Sequence, residues 1–313
     1  MKIIIAGAGA MGMRFGLMLH EANNEVVLVD GWKEHVDTIN AHGLKANFNG
    51  EEKTVPLKAY LKDEVDASLR ADLIILFTKA MQLDGMLKSI QSVITPETNV
   101  LCLLNGIGHE EIIEKYVKRE RILIGNTMWT AGMEGPGRAK LFGNGSIALQ
   151  ELHGGDATVA KDICKVLSDA QLNAEYSENI RFAIYKKACV NGTMNSLCTL
   201  LECNMAQLGE TATAHDMLMG IVSEFSKVAK HENVDLPVEE TVNYIETACY
   251  NRETIGLHYP SMHQDLVKNH RLTEIDCING AIVSKGQKYG VPTPYCQLIT
   301  QLIHAKEVVL EAK

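Results

Sequence analysis

The sequence predicts an α/β chain in two parts, a doubly wound sheet at the N-terminus followed by an all-helical domain. Three observations carry this reading. The first thirty residues run in the order apolar stretch, glycine turn, helix, apolar stretch, acidic residue. Two further apolar runs, residues 72–77 (DLIILF) and 99–104 (NVLCLL), alternate with helical segments, as strands buried on both faces do. After Ser177-Glu178 the strand pattern stops and long helical segments take over.

Taken in order, residues 2–6 (KIIIA) read as a strand that feeds directly into Gly7-Ala8-Gly9-Ala10-Met11-Gly12. This is G-x-G-x-x-G with a strand before it and a helix, residues 11–22, after it. In that context it reads as a Rossmann-type dinucleotide turn. Gly7 permits the tight turn, Gly9 lets backbone approach a pyrophosphate, and Gly12 lets the helix pack close. Ala10 and Met11 open the helix whose free N–H groups face the phosphates. Residues 25–29 form the second strand and end at Asp30, 18 positions after Gly12 and near the expected spacing of about 20. A carboxylate there accepts hydrogen bonds from ribose hydroxyls and repels a 2′-phosphate, which favours NAD over NADP.

Residues 33–42 read as a crossover helix, and 43–60, with a turn at Gly50, as an added strand pair. The run 72–77 leads through Thr78-Lys79 into a helix ending near Thr95-Pro96. The run 99–104 leads into Asn105-Gly106-Ile107-Gly108. Ligands of such sheets bind beyond the carboxyl ends of the strands, where Thr78, Lys79 and Asn105 fall. Residues 121–152 are strand-like and glycine-rich, suited to hairpins closing the sheet. A helix at 157–170 and a strand at 173–176 complete the first domain, residues 1–177. Domain two, residues 178–313, is expected to hold helices at 179–203, 214–233, 238–254, 273–289 and 294–311. Prolines 237, 260, 292 and 294 stand between them.

Composition limits the alternatives. At 313 residues, 46% hydrophobic and 22% charged, the chain is ordinary globular material. Its net charge of −9 and the lack of any basic run argue against nucleic acid. No apolar run approaches the roughly 20 residues of a membrane span. A core strand at the very start is expected to leave no signal peptide. The eight cysteines form no C-x-x-C pair, so reduced thiols in a cytoplasmic protein are expected. Among the eleven histidines, His258 and His263 come nearest to a ligand pair, but no third ligand stands beside them, and no metal site is expected.

Two constellations could do chemistry. On the apolar helix 179–203, Lys187, Asn191 and Asn195 recur every four positions and line one face, with Thr199 continuing the row. Lys186 points about 100° away and is expected to be solvated. A partly buried Lys187 would have a lowered pKa and could act as a general acid. The same residue also suits a lysine snorkelling from a domain interface. The second constellation is Tyr259-Pro260-Ser261-Met262 followed by Leu272-Thr273-Glu274-Ile275-Asp276. Thr273 could cap the helix 273–289, with Glu274 a favourable first-turn carboxylate. Glu274 could equally orient Lys187 and bond a substrate hydroxyl.

Together, G-A-G-A-M-G, Leu104-Asn105-Gly106-Ile107-Gly108, Lys187-Ala188-Cys189-Val190-Asn191, Asn195, Ser261-Met262 and Thr273-Glu274-Ile275-Asp276 resemble the ketopantoate reductase (2-dehydropantoate 2-reductase) family, in the right order over nearly the whole chain. The resemblance implies a Rossmann domain, a helical domain and an active site in the cleft between them. It implies Lys187 as general acid and Glu274 as its partner. Asn105 would position nicotinamide and substrate, while Asn191, Asn195 and Ser261 would hold the substrate's polar groups. Lys79 matches a lysine on the cofactor side, which Glu274 also faces.

The chain departs from the NADPH-dependent members, which place a basic residue just after the second strand. Here Asp30-Gly31-Trp32 stand there, and Lys33 is the first cation. The interval from Ser261 to Glu274 is also one residue longer than usual in the family. The Asp30 departure resembles a smaller branch of NAD-dependent D-2-hydroxyacid dehydrogenases, acting on branched or aromatic 2-oxo acids such as those related to mandelate. The expected reaction is therefore hydride transfer between NADH and a 2-oxo acid, giving a D-2-hydroxy acid. NADPH-dependent ketopantoate reduction is the nearest alternative, and a non-catalytic dinucleotide sensor is the alternative of another class. The long apolar helices can bury their faces on one another or in a homodimer.

Overall fold

The computed structural model describes residues 1–152 and 155–313. The chain divides into two compact units. One comprises Met1–Leu104 with His109–Ile180, the other Asn105–Gly108 with Arg181–Lys313.

The first unit is α/β. β1 (Lys2–Ala6), α1 (Ala10–Glu21), β2 (Glu25–Asp30) and α2 (Lys33–His42) form its opening. A hairpin of β3 (Leu44–Phe48) and β4 (Glu51–Val55) follows, then β5 (Lys58–Leu61), β6 (Leu73–Leu76), α3 (Leu83–Ser89) and β7 (Asn99–Cys102). α4 (Glu110–Ile113), β8 (Ile122–Thr127), β9 (Thr130–Met133), β10 (Arg138–Phe142), β11 (Ile147–Glu151), α5 (Ala157–Asp169) and β12 (Ala174–Tyr176) complete it. Among the described residues, eight strands form one sheet in the order β12-β11-β8-β7-β6-β1-β2-β5. From β8 to β5 every neighbouring pair is parallel, and β11 enters antiparallel to β8. All four residues of β6, Leu73 to Leu76, are buried, which is why its sequence is a continuous apolar run. Because β1 and β2 run parallel, the glycine turn after β1 and Asp30 at the end of β2 lie at the same carboxyl edge.

One strand expectation needs correction. Residues 43–60 hold the expected strand pair, β3–β4, but the β9–β10 hairpin does not close the main sheet. The two pairs join instead in a second sheet ordered β4-β3-β10-β9. β4 (EEKTV) is largely exposed, so it suits an edge and not a two-faced core. The hairpin β9–β10 is held over α1 by Arg14, whose side chain is wholly buried. Its Nε donates to Thr130 O at 3.0 Å and Nη2 to Phe142 O at 2.8 Å. The guanidinium also lies 4.6 Å from the Trp129 ring centroid. Burial lowers the Arg14 pKa to about 10, which still leaves it a cation at neutral pH.

The second unit is helical. α6 (Ile180–Val190), a π-turn over Asn191–Asn195 and α7 (Ser196–Leu201) form one continuous element. α8 (Met205–Gly209), α9 (Ala214–Lys230), α10 (Val238–Cys249) and α11 (Ser261–His263) follow, the last running on into a π-turn, Gln264–Lys268. A 3₁₀ turn, Ile275–Cys277, precedes α12 (Asn279–Tyr289) and α13 (Pro294–Val309). Phe225, Ile221, Ile282 and Ile303 from three of these helices meet in its core, and Ile107 joins them from the Asn105–Gly108 segment. α13 starts at Pro294, and the buried Glu224 accepts the N–H groups of Tyr295 and Cys296, both at 2.8 Å. A carboxylate in place of a side-chain cap satisfies donors that the helix leaves open. No described helix is long and apolar enough to cross a membrane. All eight cysteines are free thiols.

Candidate active site

In the first unit the glycine turn is shaped by contact on two sides and openness on the third. Gly7 has φ +101°, and a Cβ there would lie 2.3 Å from Thr78 N. A Cβ on Gly12 would lie 2.0 Å from Gly7 O, so the first turn of α1 sits directly on the loop. A Cβ on Gly9 would meet nothing within 4 Å. Among the described residues no side chain caps α1, and its first turn (Ala10, Met11, Gly12, Met13) holds no acid. An uncapped, acid-free helix start beside bare backbone fits a phosphate group.

Asp30 ends β2, and both its oxygens are held by backbone: Oδ2 accepts Ala8 N–H at 2.7 Å and Oδ1 accepts Trp32 N–H at 2.9 Å. Each oxygen keeps a lone pair for a further donor. His35 supports the same loop and was invisible in the sequence, where one histidine on an amphipathic helix carries no signal. It is buried, accepts Gly137 N–H at Nδ1 (2.9 Å) and so donates from Nε2 to Ala8 O (2.9 Å). Burial lowers its pKa against the pull of Asp30, which keeps this tautomer neutral. Thr78 is buried at the carboxyl end of β6, and Lys79 is exposed just before the Ala80–Gln82 turn.

In the second unit the polar row is built on a π-turn. In a regular α-helix each step of four residues overshoots a full turn by about 40°, so a row drifts around the axis. A π-turn takes more residues per turn and cancels part of that drift between Asn191 and Asn195. Hydroxyls bond back into the opened backbone: Thr193 Oγ1 to Cys189 O (3.0 Å), Ser196 Oγ to Gly192 O (2.5 Å) and Thr199 Oγ1 to Asn195 O (2.6 Å). Asn279 Nδ2 also donates to Gly192 O at 3.0 Å. Thr199 is thus a buried support, not part of an open face.

Lys187 is half-buried. Burial lowers its pKa from 10.5 to about 8, with the charge of Glu274 pulling the other way. Asn195 Nδ2 donates to Ser261 Oγ at 3.4 Å, so two residues far apart in sequence meet. Lys186 lies 3.9 Å from the Tyr244 ring centroid, a cation–π contact where simple solvation was expected.

The segment 273–289 differs most from the sequence expectation. Thr273 does not cap a helix, since α12 begins only at Asn279. Thr273 N–H and Oγ1–H instead both donate to Glu307 Oε1, at 2.8 and 2.7 Å. Glu274 therefore stands before the Ile275–Cys277 turn and not in the first turn of a helix, which removes its expected role as a first-turn carboxylate. The Asn105–Gly108 segment is strapped onto this turn: Ile107 N–H donates to Cys277 O at 2.9 Å. The helical unit thus collects Lys187, Glu274, Asn105, Asn191, Asn195 and Ser261, while Gly7, Gly9, Ala10, Met11, Gly12, Asp30, Thr78 and Lys79 lie in the first unit.

The family model for ketopantoate reductase PanE/ApbA matches residues 3–154, and the model for its C-terminal part matches residues 179–307. A 2-dehydropantoate 2-reductase of Lactococcus lactis is 62% identical over 313 residues, with full coverage of both chains. That of Streptococcus pyogenes is 48% identical over 310 residues, 99% of each chain. Among solved structures, a ternary structure of D-mandelate dehydrogenase with NADH and anilino(oxo)acetate superposes with a TM-score of 0.95 at 62% identity, covering 100% of both chains. The glycine turn, the lysine-bearing helix and the T-E-I-D segment accordingly stand in a chain that belongs to the ketopantoate reductase family of oxidoreductases.

Proposed function

We propose that this protein transfers hydride between NADH and a branched or aromatic 2-oxo acid, giving a D-2-hydroxy acid. The observation that carries the cofactor choice is Asp30, a carboxylate fixed by Ala8 and Trp32 N–H groups at the end of β2. It suits the paired ribose hydroxyls of NADH and repels a 2′-phosphate. Lys33, the first cation after it, is already bonded to Asp37 at 2.7 Å. The likeness to a D-mandelate dehydrogenase crystallised with NADH supports the same choice and the aromatic acid.

Gly7, Gly9, Ala10, Met11, Gly12, Thr78 and Lys79 would bind the dinucleotide, with Asn105 and Glu274 towards its nicotinamide end. Bound NADH supplies the hydride that reaches the carbonyl carbon. The Lys187 ammonium gives its proton to the carbonyl oxygen and is reprotonated from solvent. Glu274 keeps that ammonium populated by its charge. Asn105, Asn191, Asn195 and Ser261 hold the carboxylate and the forming hydroxyl, so the reactants meet in one orientation. The free thiols suit the cytoplasm.

A second reading is NADPH-dependent reduction of ketopantoate, favoured by the relatives named 2-dehydropantoate 2-reductase. Ketopantoate, 2-oxoisocaproate and benzoylformate, each assayed with NADH and NADPH, separate the two. The proposal expects kcat/KM about a hundredfold higher with NADH, because the 2′-phosphate would face a like charge. Preference for NADPH with ketopantoate would establish the second reading. NADH binding without turnover of any acid would make the protein a dinucleotide-binding module.

We also propose a homodimer. Along α13, Tyr295, Leu298, Leu302, Ala305 and Val309 are exposed. Their alternate steps of three and four residues match the seam of paired helices. Sedimentation equilibrium at micromolar protein should return twice the chain mass, and a single-chain mass would refute it.

A further inference from the structure

Glu274 is flanked on both sides by residues held by a single turn of α13. Before it, Thr273 gives both its N–H and its hydroxyl to Glu307 Oε1. After it, Asp276 Oδ1 lies 2.9 Å from His304 Nε2. The two anchors are joined, since His304 Nδ1 lies 2.8 Å from Glu307 Oε2. We infer that His304, bridging Asp276 and Glu307, is a positioning residue that sets the place of Glu274 against Lys187. This rests on the reading of Glu274 as the partner of Lys187.

The chemistry of the bridge decides how it behaves. Both partners of the imidazole are carboxylates, which only accept hydrogen bonds. A neutral ring donates from one nitrogen alone, so the complete bridge requires the imidazolium. Burial works against that charge, but the bonds to Glu307 and Asp276 outweigh it and hold His304 above the ordinary histidine pKa. When the ring loses its proton, one bond must fail. The Asp276 side chain is 73% exposed and that of Glu307 8%, so water readily replaces the partner of Asp276. The Thr273 anchor then stays while the far end of the turn is released.

Three other charged groups on α13 and the helices packed against it are engaged elsewhere. Lys306, on α13 itself, donates to Thr199 O and Glu202, both at 2.8 Å. Glu224 of α9 serves the start of α13. Lys285 of α12 pairs with Glu232 at 2.5 Å. The turn itself contributes Asp276 and, next to it, Glu274.

Two variants test the inference through the pH profile of kcat for 2-oxo acid reduction, with NADH binding followed in parallel. His304→Gln carries both of its N–H donors on one nitrogen, so it does not span the two carboxylates as the two ring nitrogens do. It should lower kcat about tenfold with unchanged NADH affinity, and remove one of the two ionisations that lower kcat as pH rises, leaving that of Lys187. Asp276→Asn is expected to keep near-normal kcat. Its amide can accept from the imidazolium or donate to the neutral ring, so the bridge survives deprotonation and the His304 ionisation again leaves the profile. A thermal melt of each variant identifies a folding defect, and the exposed Asp276 keeps the test open if His304→Gln melts early. Wild-type profiles in both variants, with Glu274→Gln inactive, would overturn the inference alone. An unchanged kcat in Glu274→Gln would overturn it together with the catalytic reading of Glu274.

Discussion

Lys187→Ala is expected to lower kcat for 2-oxo acid reduction by about 10²–10⁴-fold, the range that a positioned general acid supplies. NADH binding, followed by the cofactor's fluorescence, should persist, because the glycine turn and Asp30 belong to the other unit. The size of the effect follows from the environment of the amine. Burial brings its pKa from 10.5 to about 8, close enough to neutrality that the proton can be given up in the transition state. Glu274 limits that fall, so that the ammonium still predominates at pH 7. Lys187→Arg should not restore the rate, since a guanidinium does not surrender a proton in this range. Near-normal turnover in Lys187→Ala would show that another group, or water, supplies the proton.

Gly106→Ala is expected to have the next largest effect, about a hundredfold in kcat with a lowered melting temperature. Gly106 has φ +99°, and a Cβ there would lie 2.3 Å from Cys277 O. The carbonyl it would strike is the one that accepts Ile107 N–H. An alanine must therefore adopt an unfavoured backbone and push away the turn that follows Glu274, a strain of about 1–3 kcal/mol. Displacement of Asn105 and Glu274 by even about 1 Å accounts for the loss of rate. Gly132→Ala, where a Cβ would meet nothing within 4 Å, is the control and should leave both quantities unchanged. A Gly106→Ala enzyme with wild-type kcat would separate Asn105 from the chemistry.

Much of this was legible in the sequence because it is encoded locally. β1, the glycine turn, α1 and β2 are consecutive, and Lys187, Asn191 and Asn195 share one helical element, so spacing puts them near one face, while the π-turn that tightens the row was not legible. Non-local features were not legible. β3 pairs in parallel with β10, from a distant part of the chain, and nothing in either strand names its partner. Arg14 reads as an ordinary helix arginine until the carbonyls of Thr130 and Phe142 are placed on it. Thr273 has the composition of a helix cap, but Glu307, 34 residues on, competes for both of its donors. Asn105–Gly108 follows a sheet strand in sequence yet packs with the helical unit, because Ile107 finds its apolar neighbours there.

The account's central claim is that Lys187 moves the proton that accompanies hydride transfer, and the pH dependence of both directions tests it most directly. Reduction needs the ammonium, so its kcat should fall as pH rises through about 8, separately from the ionisation assigned to His304. Oxidation of the D-2-hydroxy acid needs the neutral amine, so its kcat should rise through the same value. Both limbs should vanish in Lys187→Ala. Rates independent of pH between about 7 and 9 in the wild type, or limbs that survive in Lys187→Ala, would contradict the claim.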